Sequence, residues 1–419
     1  MAVRNASPEY AAQVDMPVVP AGYKQTEVGV IPEDWDAVPL SELGQFKNGI
    51  NKGSDDFGHG SPFINLMDVF GVNSIKSDEP IGLVKTSQAE QKTYDLKRGD
   101  VLFIRSSVKP SGVGLTAVVE SDLSQTVYSG FLIRFRDNGM LDIGFKRHCF
   151  SSERFRRNLI GTSTVSANTN INQDNLKKLV LALPSTVKEQ RAIATALSEV
   201  DALLKVLDRQ IAKKRDIKQA TMQQLLTGQT RLPGFEGEWQ TKKLGELAEI
   251  IMGQSPNSSN YNTKGAGLPL IQGNADIDER KSIKRFFTTQ ITKKGKAGDI
   301  LMSVRAPVGE IARATFDVCL GRGVCAIRAW NDFLYHYLIY LEPTWAKHSK
   351  GSTFDSVNSS DVKVLEIKIP TDIDEQKAIA NVFSDMDTEL EALQQRRAKT
   401  ASLKQAMMQE LLTGRTRLV

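Results

Sequence analysis

The chain has 419 residues, 40% of them hydrophobic and 25% charged, with a formal net charge of +5. That length suits two or three domains of ordinary soluble composition; no apolar run approaches the ~20 residues of a membrane span, residues 1–7 lack the apolar core of a secretory signal, and cytoplasm is the expected location. Three cysteines without CxxC spacing and four scattered histidines argue against structural zinc, and the mildly basic balance is compatible with a polyanionic partner without establishing one.

Residues 1–30, with Pro8, Pro17, Pro20, Gly22 and Gly29, are expected as an extended N-terminal segment without periodicity. Residues 31–184 form a first mixed α/β head, with strands expected at 101–105, 114–119 and 131–135 and a helix at 152–160. Residues 185–230 carry one long helix. Thr186 and Glu189 have capping-box spacing, and Gly228 supplies a left-handed stop. Its apolar seam, Ile193, Leu197, Val200, Leu204, Leu207 and Ile211, steps by four and three. Lys213, Lys214 and Arg215 interrupt that seam, as a solvated basic face or as a weakened coiled coil whose far end, resuming at Ile217, Ala220 and Leu225, packs on something else.

Residues 231–370 form a second head, with strands expected at 300–304 and 324–328 and a helix at 333–347 kinked or broken at Pro343. Residues 371–419 carry a second long helix, from Asp372 and Glu375 to Gly414, with the seam Ile379, Phe383, Met386, Leu390 and Leu393. The two helical segments are copies: Gln190 recurs as Gln376 and Leu225 as Leu411, a constant offset of 186. About 40 helical residues at ~1.5 Å each span about 60 Å. The economical partner for each seam is therefore the other copy, antiparallel, with the heads at opposite ends about a pseudo-twofold axis.

The heads repeat more weakly but in order. Trp35 pairs with Trp239, 62–66 with 269–273, 99–103 with 298–302, Val113-Gly114 with Val308-Gly309, and Asn172 with Asn358. Shared framework separated by unlike stretches is what a common scaffold with diverged recognition loops produces.

Motifs for catalysis are missing: there is no Pro-Pro dipeptide, no GxxxxGK[ST] loop and no GxSxG turn. Asp361 with Glu366 and Lys368 has the texture of a nuclease strand, but Asn175, Val180 and Ala182 replace them in the first copy. Alternating charge on an exposed strand explains them. The candidates for DNA contact are Lys47, Asn48, Asn51, Lys52, Arg105, Ser106, Lys109, Ser163 and Asn168 in the first head. In the second they are Gln254, Asn257, Gln272, Asn274, Arg305, Lys350, Ser352 and Thr353. Asn and Gln amides can pair with adenine, Arg and Lys with guanine, and Ser and Thr with phosphate. Two alternatives stay open: loops are polar in any protein, and Arg105 and Arg305 could each bridge a neighbouring carboxylate.

The repeated Glu-Gln-x-Ala-Ile-Ala helix ending in Leu-Leu-Thr-Gly-x-Thr-Arg-Leu, and the opening 23–35 with Trp35, resemble the specificity subunit of type I restriction-modification systems from about Gly22 onward. The resemblance implies a subunit without catalysis of its own. Two target-recognition domains would each read half of a bipartite, asymmetric sequence in double-stranded DNA. The helices would act as spacer and as dock for two methyltransferase subunits, to which two restriction subunits add. S-adenosylmethionine would belong to the methyltransferase, and ATP with Mg²⁺ to the restriction subunit. The competing readings are an autonomous nuclease or methyltransferase with an unusual site, and a coiled-coil scaffold that binds no nucleic acid.

Overall fold

In the computed structural model, which describes residues 19–76, 81–165, 168–349 and 357–418, the strand Val101–Ile104 is buried on both sides. Val101 and Phe103 enter one apolar cluster, Leu102 and Ile104 another, because successive strand side chains point to opposite faces. Ile300–Ser303 repeats this, with Ile300 and Met302 on one side and Leu301 on the other. Each is the middle of its sheet. The first sheet is ordered Gly44–Asn48, Leu132–Asp137, Val101–Ile104, Thr116–Val119, Ser74–Ile75, and only its last pair is parallel. The second runs Ala248–Met252, Val324–Ala329, Ile300–Ser303, Ile311–Arg313, Lys281–Ser282, Ile277–Asp278, with one parallel pair.

The chain divides into two compact units, Met1–Val206 with Arg397–Val419, and Leu207–Arg396. Both boundaries cut through the long helices, Val187–Leu226 and Ile373–Leu411. A unit is therefore one head plus half of each helix. In the first unit Lys404 pairs with Asp201 at 2.6 Å and Arg417 with Glu189 at 2.6 Å. In the second, Lys214 meets Glu389 at 2.7 Å, Lys218 meets Asp387, and Arg231 meets Glu375 at 2.6 Å. Within each unit one partner's number rises as the other's falls, so the paired segments run antiparallel.

The seam is not a plain two-helix zipper. Ile193 and Leu197 enter the first head's core with Phe145 and Phe150 as well as Leu411 and Leu412. Ile379 and Phe383 enter the second head's core with Phe333 and Tyr337. Leu207, Ile211 and Leu390 are buried, while Val200, Leu204, Met386 and Leu393 are only half covered. Ile217 and Ala220, expected to resume the seam, are exposed; Met222, Leu225 and Leu226 take that place and pack in the second head's core. The basic interruption is mixed: Lys214 bridges Glu389, and Lys213 and Arg215 face solvent.

Three further expectations change. Of the N-terminal segment, residues 1–18 lie outside the described residues, and Tyr23–Thr26 and Gly29–Pro32 are extended but paired in a hairpin, anchored by buried Val28 and Ile31 and by the Tyr23 hydroxyl donating to the Gly414 carbonyl at 3.1 Å. The helix Phe333–Ser349 continues through Pro343. Leu338 on one side and Trp345 on the other pack against the same core, so tertiary contacts hold the helix across the lost N–H. The Thr186 hydroxyl does accept from the Glu189 N–H at 3.2 Å, but the Glu189 carboxylate turns to Trp35 and Arg417 instead of closing a capping box.

Candidate nucleic-acid interface

Equivalent backbone bonds superpose the framework of the two heads. The Ser129 N–H donates to Ile64 and that of Gly321 to Ile271, at 2.9 and 2.7 Å; Gly49 donates to Leu132 and Gly253 to Val324, at 3.1 and 3.0 Å. The Gly-Asp pair before each central strand has a structural task. Asp100 takes Arg136 and Asp299 takes Arg328, both from the adjacent strand, and each also accepts a backbone N–H three residues back at 2.8 Å. The matched Val-Gly is a packing device. Gly114 and Gly309 have φ of +63° and +93°, and a Cβ would lie 2.4 Å from Leu159 and 2.5 Å from Trp345. Asp361 closes a capping box on Asn358, while Glu366 and Lys368 lie exposed on an edge strand, with Lys368 donating to the Thr227 carbonyl at 2.9 Å.

In the second head the strand ends converge on one cleft, lined among others by Ser255, Tyr261, Gln272, Asn274, Arg305 and Arg322. Arg305 leaves the central strand where the Val304 N–H donates to the Gly323 carbonyl at 2.9 Å. Its loop is closed by Ser303, whose hydroxyl donates to Pro307 at 2.7 Å and accepts the Glu310 N–H at 2.9 Å. Arg305, Gln272 and Gln254 are exposed. Two of the expected contacts are occupied internally. Asn274 donates to Glu310, whose carboxyl burial pushes above its usual range, and the Asn257 amide oxygen caps Ser259 at 3.1 Å. Lys350, Ser352 and Thr353 lie outside the described residues.

In the first head the three-stranded sheet Thr164–Val165, Thr169–Asn170, Ser106–Ser107 sets Asn170 opposite Ser106 and Thr169 opposite Ser107, with the Arg105 carbonyl accepting the Ile171 N–H at 2.9 Å and Asn168 just outside the pairing. Arg105 forms no carboxylate bridge with a described residue; its guanidinium donates to the Gly130 carbonyl at 3.4 Å. Asn51 lies against the same glycine. Other candidates are drawn off. Lys52 is nearly covered and pairs with Glu90 at 2.9 Å, Lys47 sits over the Tyr94 ring at 5.6 Å, Asn48 is half-buried in the sheet, and the Ser163 hydroxyl donates to the Leu159 carbonyl at 2.8 Å. Val108 and Phe131, 81% and 58% exposed, add apolar surface that polar-loop reasoning passed over.

Arg322 and Tyr261 were also missed, because the repeat marks what the heads share and Arg322 stands where the first head has Gly130. Among the described residues no group of three or more His, Cys, Asp or Glu is placed to hold a metal, and no helix is long and apolar enough to cross a membrane. His148 and His336 are buried, with Nε2 3.2 and 3.4 Å from Ser198 and Ser384 of the long helices. Burial pushes their pKa values down to about 4 and about 3. They tie helix to head as neutral rings.

The model of the type I restriction modification DNA specificity domain matches residues 32–214 and again 236–400. The inferred type I restriction enzyme MjaX specificity subunit of Methanocaldococcus jannaschii is 29% identical, over 94% of this chain and 97% of its own length. The MjaIX specificity subunit of the same organism is 28% identical over 37% of this chain and 39% of its own. Among solved structures, a chain from a study of assembly and conformational transition of the type I restriction-modification system aligns at a TM-score of 0.59. It has 24% identity and covers 92% of this chain and 99% of that one. The S subunit of M. genitalium aligns at 0.59 with 15% identity, over 90% and 96%. At these identities the structures attest to the fold.

Proposed function

The chain belongs to the type I restriction modification DNA specificity family, and on that premise we propose that it is the sequence-reading subunit of a restriction-methylation complex. Each head reads one half of a bipartite, asymmetric target in double-stranded DNA. The observation that carries this is the contrast within the heads: backbone bonds coincide from copy to copy while the mouths hold unlike side chains, Gly130-Phe131 in one and Arg322-Gly323 in the other. A fixed frame with different mouths fits one duplex geometry and two base sequences.

The subunit performs no bond chemistry itself. Two methyltransferase subunits supply S-adenosylmethionine chemistry, and two restriction subunits use ATP and Mg²⁺. The long helices serve as spacer and dock. This reading is supported by the lack of a nucleotide loop or methyltransferase motif in the sequence. Methylome sequencing of the host with and without the gene tests it. The expected result is one bipartite motif, its halves unlike, whose methylation vanishes on deletion; an unchanged methylome in cells that express the partner subunits would refute the proposal.

A further inference from the structure

The second head contains six arginines between residues 232 and 370, and four are held by carboxylates: Arg280 by Glu342, Arg285 by Asp276, Arg313 by Asp332 and Arg328 by Asp299. The other two, Arg305 and Arg322, have no ion pair with a described residue, and both line the same cleft. Guanidinium groups left uncompensated in one concavity are placed for acceptors that come from outside.

Arg322 has the more rigid mount. Its own N–H donates to the Ser255 hydroxyl at 3.1 Å. Gly321 donates to the Ile271 carbonyl at 2.7 Å, Val324 to Gly321 at 3.2 Å, and Gly323 accepts from Val304 at 2.9 Å. The turn also lies flat against the Gln272 strand end, since a Cβ on Gly323 would fall 2.0 Å from the Gln272 carbonyl oxygen. Arg322 is thus the one side chain this turn presents, on a backbone fixed on every side. A phosphate contact needs no such fixing, because a point charge is satisfied from many directions. Bidentate recognition of a base edge does need it.

Resting on the sequence-reading function proposed above, we infer that Arg322 specifies a guanine in the half-site read by the second head, through paired N–H donors to O6 and N7 in the major groove. The first head has glycine at the matching place and makes no such demand on its half-site.

The test is selection from a random duplex library by the full chain, purified with the subunits that accompany it, as wild type, Arg322→Lys and Arg322→Ala. Wild type should enrich a bipartite motif; if it enriches none, the sequence-reading proposal and this inference both fall. Given a motif, both variants should lose preference at one guanine of one half by roughly 5- to 150-fold and leave the other half intact. Lys fails here because it lacks the planar fork. If Lys retains the motif while Ala weakens all sequences alike and lowers the salt dependence by about one charge, or if neither variant changes the motif, the inference is overturned. Arg322 is exposed, so an unchanged thermal melt is the folding control.

Discussion

Glu189 and Glu375, equivalent in the two copies, are buried carboxylates at the start of each long helix. Each is answered by the arginine that follows the other helix: Arg417 reaches Glu189 and also Asp34, and Arg231 reaches Glu375 through two bonds. A tryptophan flanks each pair, Arg417 lying 5.7 Å from the Trp35 ring centre and Arg231 5.8 Å from that of Trp239. Removing the arginine leaves the buried Glu375 carboxylate unpaired, so R231A should lower the melting temperature of the second unit, whereas the double change R231M/E375M should recover most of the loss in thermal melts. Histidine protonation predicts a pH response. Both rings titrate lower in the folded chain than the ordinary 6.5, so the unfolded chain binds protons first, and stability present above about pH 6.5 is lost as pH falls toward 4. At pH 5 the loss should be about 2 kcal/mol for each ring. A chain with both histidines changed to Gln should show a flatter melting temperature between pH 7 and 5; an equally steep dependence would assign it to other groups.

At the scale of elements, the long helices were legible because period, caps and duplication all agreed, and both ends fall within a few residues of the glycines that signal them. What the helices touch was not legible. A seam of apolar residues states that something covers it, and a neighbouring helix and a head's core look alike in sequence. Ile193 and Phe383 meet the head, and Leu225 serves the head that follows. The Val-Gly pairs show the converse, a repeat visible in sequence whose cause is packing. Gly309→Ala combines a left-handed φ with a clash on Trp345. It should cost about 1–3 kcal/mol, read by chemical denaturation, while alanine at half-buried Gly273, where a Cβ would meet open space, should cost less.

For the whole molecule, the chain order and the folding units differ. The last residues, 397–419, belong to the first unit and bring Leu411 and Leu412 into its core. A chain ending at Arg396 keeps every residue of the first head and yet should lose that head's protease resistance, while the second unit stays protected. Equal resistance of both would show that the first head folds without its distant helix segment. Function divides similarly. Duplication reveals the frame common to both heads, so Arg305 could be singled out from the matched Gly-Asp strands. Residues that distinguish the heads fall where the copies disagree, which is why Arg322 emerged only from the cleft.

The sequence by itself determined that there are two heads, two long helices and a family, because repetition, periodicity and turn chemistry are local or self-comparing signals. Only the tertiary structure decided which charges are spent inside the protein and which remain for a ligand. Lys52 and Asn274 are consumed by Glu90 and Glu310, while Arg305 and Arg322 line the cleft without an ion pair to any described residue. Whether a side chain finds its partner depends on distances between residues far apart along the chain, and those do not exist until the chain has folded.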